Sequence, residues 1–178
     1  MTAHSTMRAR LAAEEHGFTL VELLIVMILL AIIMGPLVDA FVSGTNAAYV
    51  TNSRLSAQQD IRTGLARLEY EGRCGSSATL LNSGAGVTFT LPTVCSHVSP
   101  AVAWCVSGGV LTRYYATTCS GAGQPFARNI TSPTPFSLQA NTGDLQEVLI
   151  NLTANPVGKA AGSFSVTDAI TLRNSSPS

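Results

Sequence analysis

The chain has 178 residues, 46% of them apolar and 11% charged, and its ten Lys or Arg balance ten Asp or Glu. A formal net charge of zero supplies no long-range field to draw in nucleic acid, so no nucleic-acid partner is predicted from charge. The length suits one domain with an appendage better than two ordinary domains. Bulky aliphatics crowd into Phe18 to Val42, whereas the chain beyond Cys74 is rich in Ser, Thr, Gly and Asn.

Residues 1–17 are polar, with Arg8 and Arg10 followed by Glu14, Glu15, His16 and Gly17. From Leu23 to Val38 there is no charge, and with its flanks the apolar run covers about 25 residues, enough for a helix to cross the hydrocarbon. Arginines precede the run and none follows it until Arg54, which predicts a single pass with the amino terminus cytoplasmic and the rest extracytoplasmic. Glu22 is the anomaly, because an ionised carboxylate in such a run costs a few kcal/mol in lipid. A secretory signal fits poorly: the run is too long, and Asn46-Ala47-Ala48 is only a poor cleavage site. A plain anchor explains the hydrophobicity and leaves Gly17 and Glu22 without roles.

Cleavage between Gly17 and Phe18 gives them roles. Phe18 gains an ammonium group, and Glu22 falls in the first helical turn, facing the positive end of the helix dipole and several unpaired amides. In staggered packing of such helices, the ammonium of one copy meets Glu22 of its neighbour. A buried pair of this kind punishes wrong registers more than it adds net stability.

The segment Gly17-Phe18-Thr19-Leu20-Val21-Glu22-Leu23-Leu24 resembles the class III signal of type IV pilins and type II secretion pseudopilins. The resemblance implies that a membrane aspartyl prepilin peptidase cuts after Gly17 and methylates Phe18, and that Glu22 is the assembly glutamate. It also implies other pilins or pseudopilins in a filament or tip complex, an inner-membrane assembly platform, and membrane lipid before assembly as partners. Glu14 and Glu15 stand where many leaders of the family are basic, a departure that bears on processing efficiency.

Next in order, Gly35-Pro36 interrupts the run and predicts a helix kink or a locally melted stretch. Beyond it Val50, Ala57, Ile61, Leu65 and Leu68 follow helical spacing, while Arg54, Asp60, Arg62, Arg67, Glu69 and Glu71 fall mostly off that line. The reading is an amphipathic continuation to about Glu71, ended by Gly72. The chain is thus divided into a leader (1–17), a transmembrane and assembly helix (18–42), its amphipathic continuation (43–72) and an extracytoplasmic β-rich head (73–178).

In the head the period changes to two. Ala78 to Leu81 and Val87 to Leu91 flank Asn82-Ser83-Gly84-Ala85-Gly86, a hairpin signal. Ala101 to Ser107 and Val110 to Ala116 flank Gly108-Gly109, suited to a two-residue primed turn that sets Trp104 across from Arg113 and Val106 across from Leu111. Gly121 to Thr142 is mixed, with Ile130 and Phe136 as anchors. Leu145 to Thr153 and Ser163 to Arg173 alternate around the turn Asn155-Pro156-Val157-Gly158. The predicted fold class is α+β, a long amino-terminal helix laid by its outer half on an antiparallel sheet.

Cys74, Cys95, Cys105 and Cys119 lack metal-ligand spacing, and an even count beyond a membrane-type segment reads as two disulfides in an oxidising compartment. Three pairings are open, and sequential closure, Cys74 with Cys95 and Cys105 with Cys119, best joins neighbouring elements of a small sheet. A helix ending in Arg-Leu-Glu, the Gly-Gly hairpin followed by Leu111-Thr112-Arg113, and the terminal Ile170-Thr171-Leu172-Arg173-Asn174 together resemble PilW-like minor pilins and the related pseudopilin J.

No enzymatic site is predicted. His97, beside Ser96 and Ser99, is the sole imidazole after Gly17, and no nucleophile, zinc or phosphate-cradling motif accompanies it. Asp144, Glu147 and Asp168 lack the dense oxygen spacing of a calcium loop, so neither metal nor cofactor is expected. Trp104, Tyr114 and Tyr115 are read as core aromatics before a binding platform. The function that emerges is a structural subunit, a minor pilin or pseudopilin. The alternative is a pilus-borne adhesin or DNA-uptake module on the same anchor, which the eight basic and eight acidic residues from Phe18 onward do not favour.

Overall fold

A computed structural model describes residues 19–95, 98–140, 145–158 and 162–175. Helix α1 spans Leu20–Cys74, and the chain separates into two compact units at Ala47 and Ala48. In the first unit every described side chain is exposed, the bulky ones from Leu20 to Val42 by 47–83%. This helix is the one among the described residues long and apolar enough to cross a membrane, with a mean hydropathy of 2.8 over its best window. Gly35 and Pro36 both lie within α1. The expected interruption is therefore not a melted stretch: Pro36 lacks one amide donor, and the helical residues on either side carry the ladder past it.

The second unit, Ala48–Ser178, holds the carboxy-terminal part of α1 and the described strands. Its share of α1 buries Ala57, Ile61, Leu65 and Leu68, the predicted stripe, while Val50 is only half-buried. Each fully buried aliphatic in this stripe contributes about 1.5–3 kcal/mol relative to exposure. The helix does not end at Gly72 as expected. It continues to Cys74, and the amide of Gly75 closes the last turn on the carbonyls of Glu71 and Gly72, at 2.9 and 3.1 Å. Gly72 instead answers a packing need, since a Cβ there would sit 2.8 Å from Cγ2 of Ile170.

Among the described residues eight strands follow: β1 Ser77–Leu81, β2 Gly86–Thr90, β3 Ala101–Ser107, β4 Val110–Tyr114, β5 Gly123–Ala127, β6 Phe136–Ala140, β7 Gln146–Ala154 and β8 Phe164–Thr171. They form two antiparallel sheets rather than one, β1-β2-β3-β4-β5 and β6-β7-β8. The first two strands make the expected hairpin, with a 3-10 turn at Asn82–Gly84. In the second hairpin Trp104 faces Arg113 and Val106 faces Leu111, the predicted register, with positive φ at both Gly108 and Gly109 as a primed turn demands. The mixed region contains β5 and β6, which the sequence did not announce, and both anchors are buried, Ile130 at 5% and Phe136 at 3% exposure. One apolar cluster joins the α1 stripe to residues of both sheets, including Phe89, Trp104, Leu111, Ile150 and Ile170.

Both sequential disulfides are formed. Cys74–Cys95, with Cα atoms 6.3 Å apart, ties the end of α1 to the segment after β2, and Cys105–Cys119, at 5.9 Å, ties β3 to the segment after β4.

Candidate functional site

The site begins where α1 begins. Thr19 precedes the first helical residue, and its Oγ1 accepts the amide of Glu22 at 3.2 Å, while its carbonyl accepts the amide of Leu23 at 3.2 Å. Thr19 is thus the N-cap, and Glu22 stands three residues on, the spacing of a capping box. Sequence reasoning found Glu22 and overlooked this role for Thr19; the signal was legible as Thr-x-x-Glu before an apolar run. The Glu22 side chain is exposed and lies in the first turn, where backbone amides and the dipole favour negative charge. Gly17 and Phe18 lie outside the described residues.

Below the cap, the helix surface is hydrocarbon on all sides. Val26, Leu29, Leu30, Ile33, Met34 and Leu37 line a groove of about 360 Å³ with almost no polar surface. An apolar surface this extended is stable only against lipid or other apolar chains. The segment therefore presents a capped, acid-bearing helical start followed by a face that must be covered.

Residues 13–38 match the family described as the prokaryotic N-terminal methylation motif. This is the class III prepilin signal of the type IV pilin and pseudopilin family. Neither a curated protein nor a solved structure shows significant similarity to the chain. The prepilin signal accounts for the amino-terminal segment only, so the head has to be read from its own residues.

In the head the polar group of most consequence is one the sequence reading put on the wet side of α1. Glu71 is 2% exposed. Its Oε2 accepts Nε1 of Trp104 at 2.9 Å and Nε of Arg113 at 3.1 Å, and its Oε1 pairs with Nη2 of Arg113 at 2.6 Å and Nε of Arg67 at 2.8 Å. Arg113 is itself 3% exposed and lies over the ring of Tyr115, 4.0 Å from its centroid. Burial alone lowers the Arg113 pKa, but its bonds to Glu71 and Tyr115 outweigh that and leave it raised. A cation with a raised pKa keeps its contribution to stability below its ordinary value and loses it only in more alkaline solution. The pair fastens the last turns of α1 to the β3–β4 hairpin.

The remaining candidates separate. Trp104 is fully buried, so the predicted core aromatic is core, whereas Tyr115 is 47% exposed. His97 and Ser96 lie outside the described residues, and the hydroxyl of Ser99 donates to the carbonyl of Ala101 at 2.8 Å. Glu147 pairs with Thr171, and Asp168 with Ile150. Glu147 and Ile150 are three positions apart on β7, an odd step, so the two acids occupy opposite faces of the sheet; Asp144 lies outside the described residues. Among the described residues no three His, Cys, Asp or Glu side chains group as metal ligands do.

Proposed function

We propose that this chain is a minor pilin or pseudopilin, a structural subunit of a type IV pilus or type II secretion pseudopilus. The observation that carries the reading is the methylation-motif match over residues 13–38, joined to an exposed apolar helix whose first turn holds Glu22. In this reading residues 1–17 are a leader, 18–42 the membrane and assembly helix, 43–72 its continuation, and 73–178 an extracytoplasmic head. A prepilin peptidase cuts after Gly17 and methylates Phe18. The subunit waits in the inner membrane with its amino end cytoplasmic, and an assembly platform moves it from lipid into a filament or tip complex.

Extraction from lipid exchanges one apolar environment for another, so hydrocarbon burial alone does not select a register. The Phe18 ammonium and a neighbour's Glu22 supply that selection, because either charge buried alone costs several kcal/mol. The preference for PilW-like or pseudopilin J-like subunits draws on the Gly-Gly hairpin and the Arg-Leu-Glu helix end.

Co-expression with a prepilin peptidase and intact-mass measurement tests the reading. The expected mature species begins at Phe18 and carries one added methyl group. An uncut chain, or one cut after Ala48, overturns it. Glu22→Ala is expected to be cut normally and to enter filaments poorly, and unchanged incorporation removes the register argument.

A further inference from the structure

Two open sheets have four edges, and they are treated unequally. The outward row of β5 includes Pro125, which has no amide to offer. β1 lies beside the second sheet, where its Ala78 amide donates to Oε1 of Gln146 at 2.9 Å, and β6 packs against β1. β8 has no strand on its outer side among the described residues. The amide of Leu172 donates to the carbonyl of Gln146 at 2.9 Å, so in this antiparallel ladder the even-numbered residues bond β7 and the odd-numbered ones face outward. Ser165, Thr167 and Ala169, three of the outward residues, are exposed. One of these outward amides is occupied: Ala169 donates to Oδ1 of Asp168, its own neighbour, at 2.8 Å.

We propose that β8 is a docking edge for an extended strand from a different protein chain, one that carries a Lys or Arg opposite Asp168. An incoming strand must offer its own carbonyl to the Ala169 amide, which releases the Asp168 carboxylate into a half-buried position. A released carboxylate there needs a donor, and a cation on the incoming strand supplies it. A second copy of this chain is a poor occupant. In the antiparallel registers centred near Asp168, pairing β8 with β8 sets two freed carboxylates opposite or diagonal to each other, and β5 presents Pro125 on its outward row. Asp168 is thus a selector, rejecting self-pairing and acidic or neutral strands while admitting a cationic one. This stands on the edge alone and is independent of the filament reading.

The test uses the full chain in detergent micelles and two synthetic peptides of about six residues, alternating Thr and Val with a central Lys or a central Glu. Amide exchange is read by nuclear magnetic resonance. The Lys peptide is expected to slow exchange at Ser165, Thr167 and Thr171 and to bind about tenfold more tightly than the Glu peptide. Asp168→Asn is expected to erase that preference, and Thr167→Pro, which removes an outward amide and leaves the β7 ladder intact, to abolish binding of both. Protection by neither peptide, equal affinity for the two, or dimerisation of the wild-type chain through β8 would each overturn the proposal.

Discussion

Replacing Glu71 by alanine tests what joins the helix to the head. The substitution leaves Arg113, 3% exposed, without its counter-ion and Trp104 Nε1 without its acceptor. Removing one partner of a buried pair costs about 3–5 kcal/mol. The Tyr115 ring covers the cation in both proteins and so leaves the difference unchanged. The unmade indole bond adds about 1 kcal/mol, so the net loss is about 4–6 kcal/mol, a large share of the 5–15 kcal/mol typical of a domain. Arg67→Ala removes a bond to the same carboxylate from a side chain 47% exposed, and is expected to cost under about 1 kcal/mol. Urea unfolding followed by fluorescence is the assay, and Trp104 is the sole tryptophan, so the probe sits on the perturbed contact. If Glu71→Ala costs no more than Arg67→Ala, the carboxylate does not organise this junction and the argument fails.

Three further outcomes are expected. Non-reducing digestion and mass spectrometry should recover Cys74 joined to Cys95 and Cys105 joined to Cys119, and Cys95→Ser should lower stability by about 3 kcal/mol; crossed peptides would contradict the topology. Gly72→Ala sets a helix-propensity gain of about 1 kcal/mol against a methyl driven to 2.8 Å from Ile170, an overpacking cost of about 1–3 kcal/mol. Thermal unfolding should therefore show a loss, whereas Gly44→Ala, whose added methyl meets nothing within 4 Å, should show none. Thr19→Ala should weaken the helix start by about 1 kcal/mol, seen as roughly fivefold faster amide exchange at Glu22 and Leu23.

What was legible in the sequence was whatever is encoded within a few residues. The stripe from Ala57 to Leu68 carries its period on its face, and Gly108-Gly109 sets the register of the hairpin around it because a two-residue primed turn leaves no choice. Glu71 was misread because its partners, Trp104 and Arg113, lie 33 and 42 residues away, and a glutamate in Arg-Leu-Glu-Tyr-Glu looks like any solvated helix acid. Gly72 suffered the same fault: the glycine that reads as a stop is there to admit Ile170. β5 escaped notice because Gly-Gln-Pro-Phe-Ala offers neither alternation nor β-branched residues, and it is held by pairing with β4. The division of the strands into two sheets has no local signature at all. At the amino end the reverse held, since the matched motif, residues 13–38, is one contiguous stretch whose acid and apolar run are readable together.

The Cys74–Cys95 bridge encloses the whole of β1 and β2. When α1 is pulled, tension crosses from Cys74 to Cys95 through sulfur and bypasses the intervening residues, whose contour, roughly 70 Å at full extension, is withheld from any stretching. Cys105–Cys119 withholds β4 in the same way. A head wired like this yields little slack under load, because the strands nearest the helix end are short-circuited before they can unravel.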